Sequence, residues 1–146
     1  MTGKADRFAQ AAEMLVGTDF RLHGANPATG LDCIGLVVAA LRGADLQAPV
    51  RLPPYRLRQS RIDGFESAAL WAGFVPIANG ETRRGDLCLV RPGPAQWHLL
   101  IAARADAFVH AHAGLRRVVV QPAPLPWPIA QRWRFAKPKE RAPWQH

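Results

Sequence analysis

The stretch Thr29-Gly-Leu-Asp-Cys33-Ile-Gly-Leu-Val-Val-Ala-Ala-Leu-Arg-Gly43 decides the fold. It begins with turn-forming residues and continues as an apolar run, which predicts a helix over residues 32–42 with Gly43 as its stop signal. Cys33 lies where the turn meets the helix. Unpaired N–H groups and the helix dipole at that end are expected to lower the pKa of the thiol, which favours a nucleophile. The alternative for Cys33 is a small buried core residue.

Two further helices are predicted around this one. Residues 5–16 place Phe8, Ala11, Ala12 and Leu15 on one face, and Gly17 ends the helix. After a loop over 17–30 and an extended connection over 44–62, Asp63 and Glu66 resemble a capping box. The short helix that they begin ends at Gly73. Its inward face is predicted to hold Phe65, Ala68, Ala69 and either Leu70 or Trp71.

From residue 74 onward the apolar pattern changes to the period of two that is typical of strands. Strands are predicted over residues 87–90, 97–103, 108–112, 117–121 and 129–135. Helices followed by a meander of strands indicate an α+β fold, with N-terminal helices packed on an antiparallel sheet. We expect one domain over residues 1–136 and a polar C-terminal tail over 137–146.

The net charge of +8 is unevenly distributed along the chain. Residues 1–50 carry four basic and five acidic residues, whereas residues 51–146 carry fifteen and six. A basic surface favours an anionic partner such as nucleic acid, a membrane surface or an acidic polymer, and solubility alone is the alternative. No nucleic-acid-binding motif occurs, so no specific nucleic acid is expected as a partner.

Several other classes of protein are disfavoured by the composition. No apolar run approaches the roughly 20 residues of a membrane-spanning helix, so no membrane insertion is expected. The N-terminus lacks a signal-peptide pattern, which predicts cytoplasmic synthesis without a signal peptide. The two cysteines, Cys33 and Cys88, form no Cys-x-x-Cys motif. We therefore expect free thiols, no bound metal and no cofactor.

Two histidines are predicted to meet on one face of the sheet. If the turn of the hairpin over residues 97–112 centres on Arg104, facing residues have numbers that sum to 208, and His98 lies opposite His110. Two adjacent imidazoles can act as a base and its orienting partner. A one-residue slip would move His110 to the other face. A single strand histidine is more often a partly buried residue with satisfied hydrogen bonds, and the pairing favours the catalytic interpretation.

Further side chains are candidates for the same site. His112 shares a face with His110 by the period of two, and His23 lies in the loop that precedes Cys33. The backbone N–H of Cys33 is the first candidate for stabilising an oxyanion. Cys88, between Leu87 and Leu89, is predicted to be a core residue.

The order and spacing of these motifs resemble the NlpC/P60 family of cysteine peptidases. Residues 32–37, Asp-Cys-Ile-Gly-Leu-Val, resemble the family's Asp-Cys-Ser-Gly-aliphatic motif, and residues 85–87, Gly-Asp-Leu, resemble its strand start. His98 falls where the family has its base histidine, and His110 falls where it has its third polar residue. Residues 17–24 are similar to the segment ahead of the nucleophile. The resemblance extends from about residue 8 to residue 135.

The resemblance implies a papain-like α+β fold and hydrolysis of peptide bonds in peptidoglycan stem peptides. The typical bond joins D-γ-glutamate to diaminopimelate or to lysine. Carried over to this chain, Cys33 is the nucleophile, His98 is the general base and then the acid, and His110 orients His98. The side chains predicted to line the site or its oxyanion region are Asp32, Phe20, His23 and His112.

The chain departs from the family pattern at three places. Ile34 replaces the usual Ser after the nucleophile, Phe20 or Arg21 falls near the family's site tyrosine, and Leu99 replaces the glycine after the base histidine. We expect these changes to affect specificity more than chemistry.

The Asp-Cys-aliphatic-Gly-Leu variant resembles the peptidases encoded with phage tails and gene transfer agents, which implies phage-like tail or baseplate proteins as partners and incorporation into a tail particle. The alternatives are an amidase or acyltransferase on the same fold, and an inactive structural tail-tip or wall-binding protein.

Overall fold

A computed structural model describes residues 3–48, 68–94 and 96–137. The helices are α1 (Lys4–Met14) and α2 (Cys33–Gly43). The strands are β1 (Ala25–Asn26), β2 (Gly30–Leu31), β3 (Phe74–Pro76), β4 (Leu87–Val90), β5 (His98–Arg104), β6 (Ala107–His112), β7 (Arg117–Pro122) and β8 (Ile129–Phe135). Strands β1 and β2 form a small separate ribbon, and the others form an antiparallel sheet in the order β3-β8-β4-β5-β6-β7.

Helix α2 is the central helix of the core. Its residues 33–41 are all buried, so the unbroken apolar run reflects burial on every side rather than a single apolar face. Asp32 is the N-cap, and its Oδ1 accepts the N–H of Gly35 at 2.8 Å. The helix extends through Gly43, one residue beyond the prediction, and Ala44 follows as the C-cap.

Both helices pack on one face of the sheet. Helix α2 contacts α1, β5 and β6, and α1 also contacts β5. The larger apolar cluster lies between helices and sheet, and a smaller one lies on the opposite face. The smaller cluster contains Cys88, Val90, Leu100, Ala102 and Phe108, and Leu125 and Trp127 pack against it. The α+β prediction, with helices on an antiparallel sheet, is confirmed.

The predicted third helix lies only partly within the described residues. Residues 68–71 are helical, and the buried positions there are Ala69 and Ala72, three residues apart. Leu70 and Trp71 are 58% and 49% exposed, so the prediction that one of them faces the core was wrong. Asp63, Phe65 and Glu66, most of the extended connection and the tail beyond Lys137 lie outside the described residues.

The register of the β5–β6 hairpin differs from the prediction. Ile101 pairs with Val109 and Ala102 pairs with Phe108, so facing residues have numbers that sum to 210 rather than 208. The strands continue to Arg104 and Ala107, so the turn lies at residues 105–106 rather than on Arg104, and the irregularity between Ala102 and Arg104 shifts the pairing by one residue. The predicted pairing of His98 with His110 was therefore wrong. Because the side-chain period in a strand is two, this shift keeps both histidines on the same face.

A buried ion pair holds the start of β4. Asp86 is fully buried and accepts two hydrogen bonds from the Arg134 guanidinium, at 2.8 and 2.9 Å. It also accepts the backbone N–H of Arg83 at 2.8 Å. The Asp of the Gly-Asp-Leu motif thus joins the start of β4 to β8. Within the described ranges, no helix combines the length and the apolar character needed to cross a bilayer.

Candidate active site

A pocket of about 210 Å³ brings together most of the residues that the sequence singled out. It opens where the N-terminus of α2 meets β5 and β6. Its lining includes Phe20, Cys33, His98, His110, His112 and Trp127. One helix and two strands, α2, β5 and β6, therefore supply one thiol and three imidazoles to one cavity.

Cys33 is the first residue of α2, and its side chain is almost fully buried, with 2% exposed. The backbone N–H groups of Leu99, Ile34 and Cys33 itself lie near its sulfur and lower the pKa of the thiol. The nearby N–H of Leu99 places the sulfur beside β5, next to the residue that follows His98 in the chain. Because the N–H of Gly35 bonds to Asp32, the first-turn N–H groups directed at the thiol are those of Cys33 and Ile34.

The pKa of the Cys33 thiol is raised to about 12, which overturns the expected lowering. Burial is the main cause because it penalises the thiolate, and the carboxylate of Asp32 raises the pKa further. The three N–H donors act in the opposite direction but do not outweigh burial. Cys33 is therefore a neutral thiol at rest, and a base would have to remove its proton before it could act as a nucleophile.

His98 is the candidate base among the residues that line this pocket. Burial and the neighbouring His110 and His112 lower its pKa to about 3. Burial also lowers the pKa of His110, against the effect of its bond to Gln121. Both rings are thus uncharged at neutral pH, and an uncharged imidazole can accept a proton.

The imidazoles of His98 and His110 form a direct hydrogen bond. Nε2 of His98 lies 2.8 Å from Nδ1 of His110, and the rings meet edge to face with centroids 5.0 Å apart. On the far side, Nε2 of His110 lies 2.7 Å from Oε1 of Gln121 on β7. A chain of three side chains therefore crosses three adjacent strands, and Nδ1 is the ring nitrogen of His98 that this chain leaves unused.

Sequence reasoning missed Gln121 and Trp127. Val119 on β7 pairs with His110, and Gln121 lies two residues further along β7. Gln121 is therefore on the same face of the strand as Val119. This polar residue in the apolar pattern of β7 was the signal that could have identified it. The ring of Trp127 stands edge-on to both histidines, with centroids 6.0 Å from His98 and 6.1 Å from His110. Trp127 lies in a proline-rich loop, where no periodicity reveals which way a side chain points.

Asp32 and His23 support the site from outside the pocket. Asp32 is completely buried, and while its Oδ1 caps α2, its Oδ2 accepts the backbone N–H of His23 at 2.8 Å. The carboxylate thus fixes the preceding loop to the start of the helix. His23 is exposed and has a positive φ of 60°. Neither residue is among those that line the pocket.

Phe20 and His112 both line the pocket. Phe20 is held by its backbone N–H, which donates to the carbonyl oxygen of Arg116 at 2.9 Å, and its ring gives that wall an apolar surface. The ring centroid of His112 lies 5.5 Å from that of His110. Nδ1 of His112 accepts the N–H of Leu115 at 3.0 Å, so this nitrogen serves the turn after β6.

Cys88 provides a contrast with Cys33. It is fully buried in the smaller apolar cluster on the opposite face of the sheet, as predicted for a core residue. Both cysteines are free thiols. Across the residues that the structure describes, no group of three His, Cys, Asp or Glu side chains is arranged to hold a metal ion.

Comparison with known proteins identifies the fold. No protein-family model and no curated protein matches the sequence. Among solved structures, NlpC2 from Trichomonas vaginalis superposes with a TM-score of 0.66 at 18% identity, over 92% of this chain and 49% of that one. The NlpC/P60 domain of the peptidoglycan hydrolase SagA gives 0.58 at 21% identity, over 82% and 90%.

The peptidoglycan hydrolase RipB from Mycobacterium tuberculosis gives a TM-score of 0.60 at 21% identity, over 91% of this chain and 65% of that one. The chain spans about half the length of the two Trichomonas proteins that it matches. At these identities the likeness concerns the fold. Together with the helix-start cysteine and the antiparallel sheet described above, it shows that this chain has the NlpC/P60 fold.

Proposed function

We propose that this chain is a cysteine endopeptidase that hydrolyses peptide bonds in peptidoglycan stem peptides. The observation that carries the proposal is the hydrogen-bonded His98–His110 pair in the same pocket as Cys33, the first residue of a buried helix. This arrangement supplies a nucleophile, a base and a group that orients the base. The peptidoglycan hydrolases among the structures that share the fold support the choice of substrate.

Acylation begins when Nδ1 of His98 takes the proton of the Cys33 thiol as the sulfur attacks the carbonyl carbon of the substrate. Because both groups are neutral at rest, proton transfer accompanies attack rather than preceding it. The N–H groups of Cys33 and Ile34 stabilise the oxyanion that forms. The His98 imidazolium then protonates the leaving nitrogen, the C–N bond breaks, and a thioester to Cys33 remains.

Deacylation uses the same groups in the reverse order. His98, neutral again, takes a proton from a water molecule that attacks the thioester. The second tetrahedral intermediate collapses with cleavage of the C–S bond, and the proton returns from His98 to the Cys33 sulfur. The products are a free carboxylate and a free amine, so the cycle needs no cofactor.

We propose the D-γ-glutamyl-diaminopimelate bond as the one that is cleaved. Stem peptides carry carboxylates on both sides of this bond, and residues 51–146, with fifteen basic and six acidic residues, suit such a substrate. The apolar ring of Phe20, where the family resemblance implies a tyrosine, forms one wall of the pocket. We expect this wall to influence which stem peptides are accepted.

We also propose that the protein is made in the cytoplasm and incorporated into a phage-like tail particle, where it opens the cell wall. The Asp-Cys-aliphatic-Gly-Leu motif supports this role. Mass spectrometry of purified particles should detect the chain together with tail or baseplate proteins. Its absence from particles of a culture that expresses it would contradict the proposal.

Digestion of purified peptidoglycan tests the activity. Wild-type protein should release fragments whose masses correspond to cleavage between D-glutamate and diaminopimelate, and Cys33→Ala should release none. Cys88→Ala is the matched control because it removes an equally buried thiol from the opposite face of the sheet. Cleavage by folded Cys33→Ala at the wild-type rate would exclude the mechanism.

The same digestion distinguishes the alternatives. An amidase would release stem peptides from the glycan, and an acyltransferase would join an acyl group to an added amine, so the product masses differ. A structural tail-tip or wall-binding protein would give no products with the wild-type chain. Binding to peptidoglycan without cleavage would favour that last role.

A further inference from the structure

Gln121 extends the hydrogen-bonded chain beyond the two histidines. Its Oε1 lies 2.7 Å from Nε2 of His110, and Nδ1 of His110 lies 2.8 Å from Nε2 of His98. All three side chains project from the same face of neighbouring strands β5, β6 and β7. Gln121 is also only partly exposed. This short bond restricts how the ring of His110 can turn.

The amide oxygen determines the direction of every hydrogen bond in this chain. A carbonyl oxygen only accepts, so the bond to Gln121 requires a hydrogen on Nε2 of His110. A neutral imidazole carries one such hydrogen, which leaves Nδ1 of His110 as an acceptor. The bond between the rings is then donated by Nε2–H of His98. Its Nδ1 therefore carries the lone pair that a base needs.

If these hydrogen bonds ran in the opposite direction, Nδ1 of His98 could not act as a base. If His110 carried its hydrogen on Nδ1, that hydrogen would be donated to Nε2 of His98, and neutral His98 would hold its own hydrogen on Nδ1. Such a ring has no lone pair available on Nδ1, the nitrogen that the chain otherwise leaves free. The two tautomeric arrangements satisfy the same pair of histidines equally well, so the pair alone does not choose between them.

We propose that Gln121 is a positioning residue that fixes the tautomers of His110 and His98, and thereby keeps Nδ1 of His98 unprotonated. The inference rests on the proposed hydrolase function only for its effect on rate, because the tautomers are a property of the resting protein. Gln121 also supports the imidazolium that forms after proton transfer. His98 then still donates Nε2–H to His110, and His110 still donates to Gln121, so no second proton has to move.

Two substitutions and one control separate this role from a structural one. Gln121→Leu removes the acceptor with little change in size, whereas Gln121→Glu keeps an acceptor and adds negative charge. Gln131→Leu is the matched control because Gln131, on β8, is also partly buried and contacts the carbonyl oxygen of Arg132 at 3.4 Å.

The first measurement is the nitrogen NMR spectrum of the imidazole rings at pH 7, which shows which ring nitrogen carries hydrogen. We expect Nε2–H on both His98 and His110 in the wild type, in Gln121→Glu and in Gln131→Leu. We expect Gln121→Leu to give a mixture of tautomers. Detection of Nδ1–H on either ring in the wild type, or unchanged tautomers in folded Gln121→Leu, would overturn the proposal.

The second measurement is cleavage of a soluble muropeptide as a function of pH. Gln121→Leu should lower kcat by roughly 10- to 100-fold with little change in KM, the range found when a group that orients a reacting residue is removed. Gln121→Glu should retain most of the activity and move the acid limb of kcat/KM to higher pH, because a carboxylate stabilises the imidazolium. An acid limb of Gln121→Glu at the same pH as in the wild type would contradict the proposed link from Gln121 through His110 to His98.

The two measurements also separate this inference from the proposed function. If the tautomers change as expected but no preparation cleaves peptidoglycan, the assignment of Gln121 stands and the hydrolase function fails. If Gln121→Leu does not fold, the wild-type ring spectrum and the pH profile of Gln121→Glu still decide the outcome.

Discussion

Nε2 of His98 lies 2.8 Å from Nδ1 of His110, although the register of β5 and β6 does not place the two residues opposite each other. Ile101 pairs with Val109, so His110 lies diagonally from His98. Diagonal neighbours are farther apart at Cβ than opposed ones, and long or aromatic side chains can bridge that gap. The two rings do so edge to face, at an interplanar angle of 79°.

The bond between the rings predicts unequal roles for the two histidines of β6. His110→Ala removes the partner of His98, and we expect kcat/KM for muropeptide cleavage to fall by about 100-fold. His112→Ala should have a much smaller effect because Nδ1 of His112 bonds to Leu115 in the turn. Steady-state kinetics of both variants provide the check. Equal losses would mean that the pair has no special role.

The raised pKa of Cys33 predicts how the thiol reacts with iodoacetamide. Because the thiolate is the reactive species, the rate constant should increase about tenfold per pH unit from pH 6 to pH 9, without a plateau. A preformed thiolate beside an imidazolium would instead react at a constant rate across neutral pH. The measurement is best made in Cys88→Ala, where Cys33 is the remaining cysteine.

The lowered pKa of His98 predicts a pH-dependent stability. In the unfolded chain the pKa is near 6.5, and in the folded protein it is about 3. Below pH 6.5 protons therefore bind preferentially to the unfolded chain, and stability falls as the pH drops toward 3. Between pH 7 and pH 5 this costs up to about 2 kcal/mol. When the pH is lowered from 7 to 5, the free energy of unfolding of His98→Asn should therefore fall by about 2 kcal/mol less than that of the wild type. Urea titrations at the two pH values measure both losses, and equal losses would contradict the lowered pKa of His98.

The contact between Gly24 and Gly35 predicts that α2 begins correctly only with glycine at position 35. A Cβ at Gly35 would overlap the backbone carbonyl of Gly24, whereas a Cβ at Gly43 in the same helix would meet Ala11 Cβ at an ordinary 3.5 Å. Gly35→Ala should destabilise the protein by about 1–3 kcal/mol and reduce cleavage. Gly43→Ala should stabilise it by about 0.5–1 kcal/mol. Urea unfolding of both variants measures the difference, and equal effects would exclude this packing constraint.

Much of the fold could be predicted because its signals are local. The apolar run after Cys33, the short apolar run at residues 87–90 and the stretch at residues 129–135 correspond to α2, β4 and β8. The hairpin register could not be obtained in this way, since it depends on the position of the turn at residues 105–106 and on the irregularity between Ala102 and Arg104, and the period-two pattern specifies neither. The inward face of the helix ending at Gly73 was also misjudged, because two alanines carry the burial there in place of larger side chains.

Part of the candidate site could be predicted because cysteine and histidine are reactive residue types that can be recognised in a sequence. Cys33, His98, His110 and His112 share the pocket, but nothing in the sequence shows that Asp32 uses both oxygens on backbone N–H groups. The pKa of Cys33 was predicted in the wrong direction for a similar reason. A helix N-terminus is visible in a sequence, whereas the depth of burial that outweighs it depends on the whole core.

The neutral state of the Cys33 thiol also affects how readily it is oxidised. Peroxides and disulfides react with thiolates rather than with thiols, and a thiol that is 2% exposed offers them little access. Cys88, whose pKa is likewise raised to about 12, lies on the other face of the sheet and is not placed to form a disulfide with it. A buried thiol that stays neutral until its proton is removed is thus protected from oxidation.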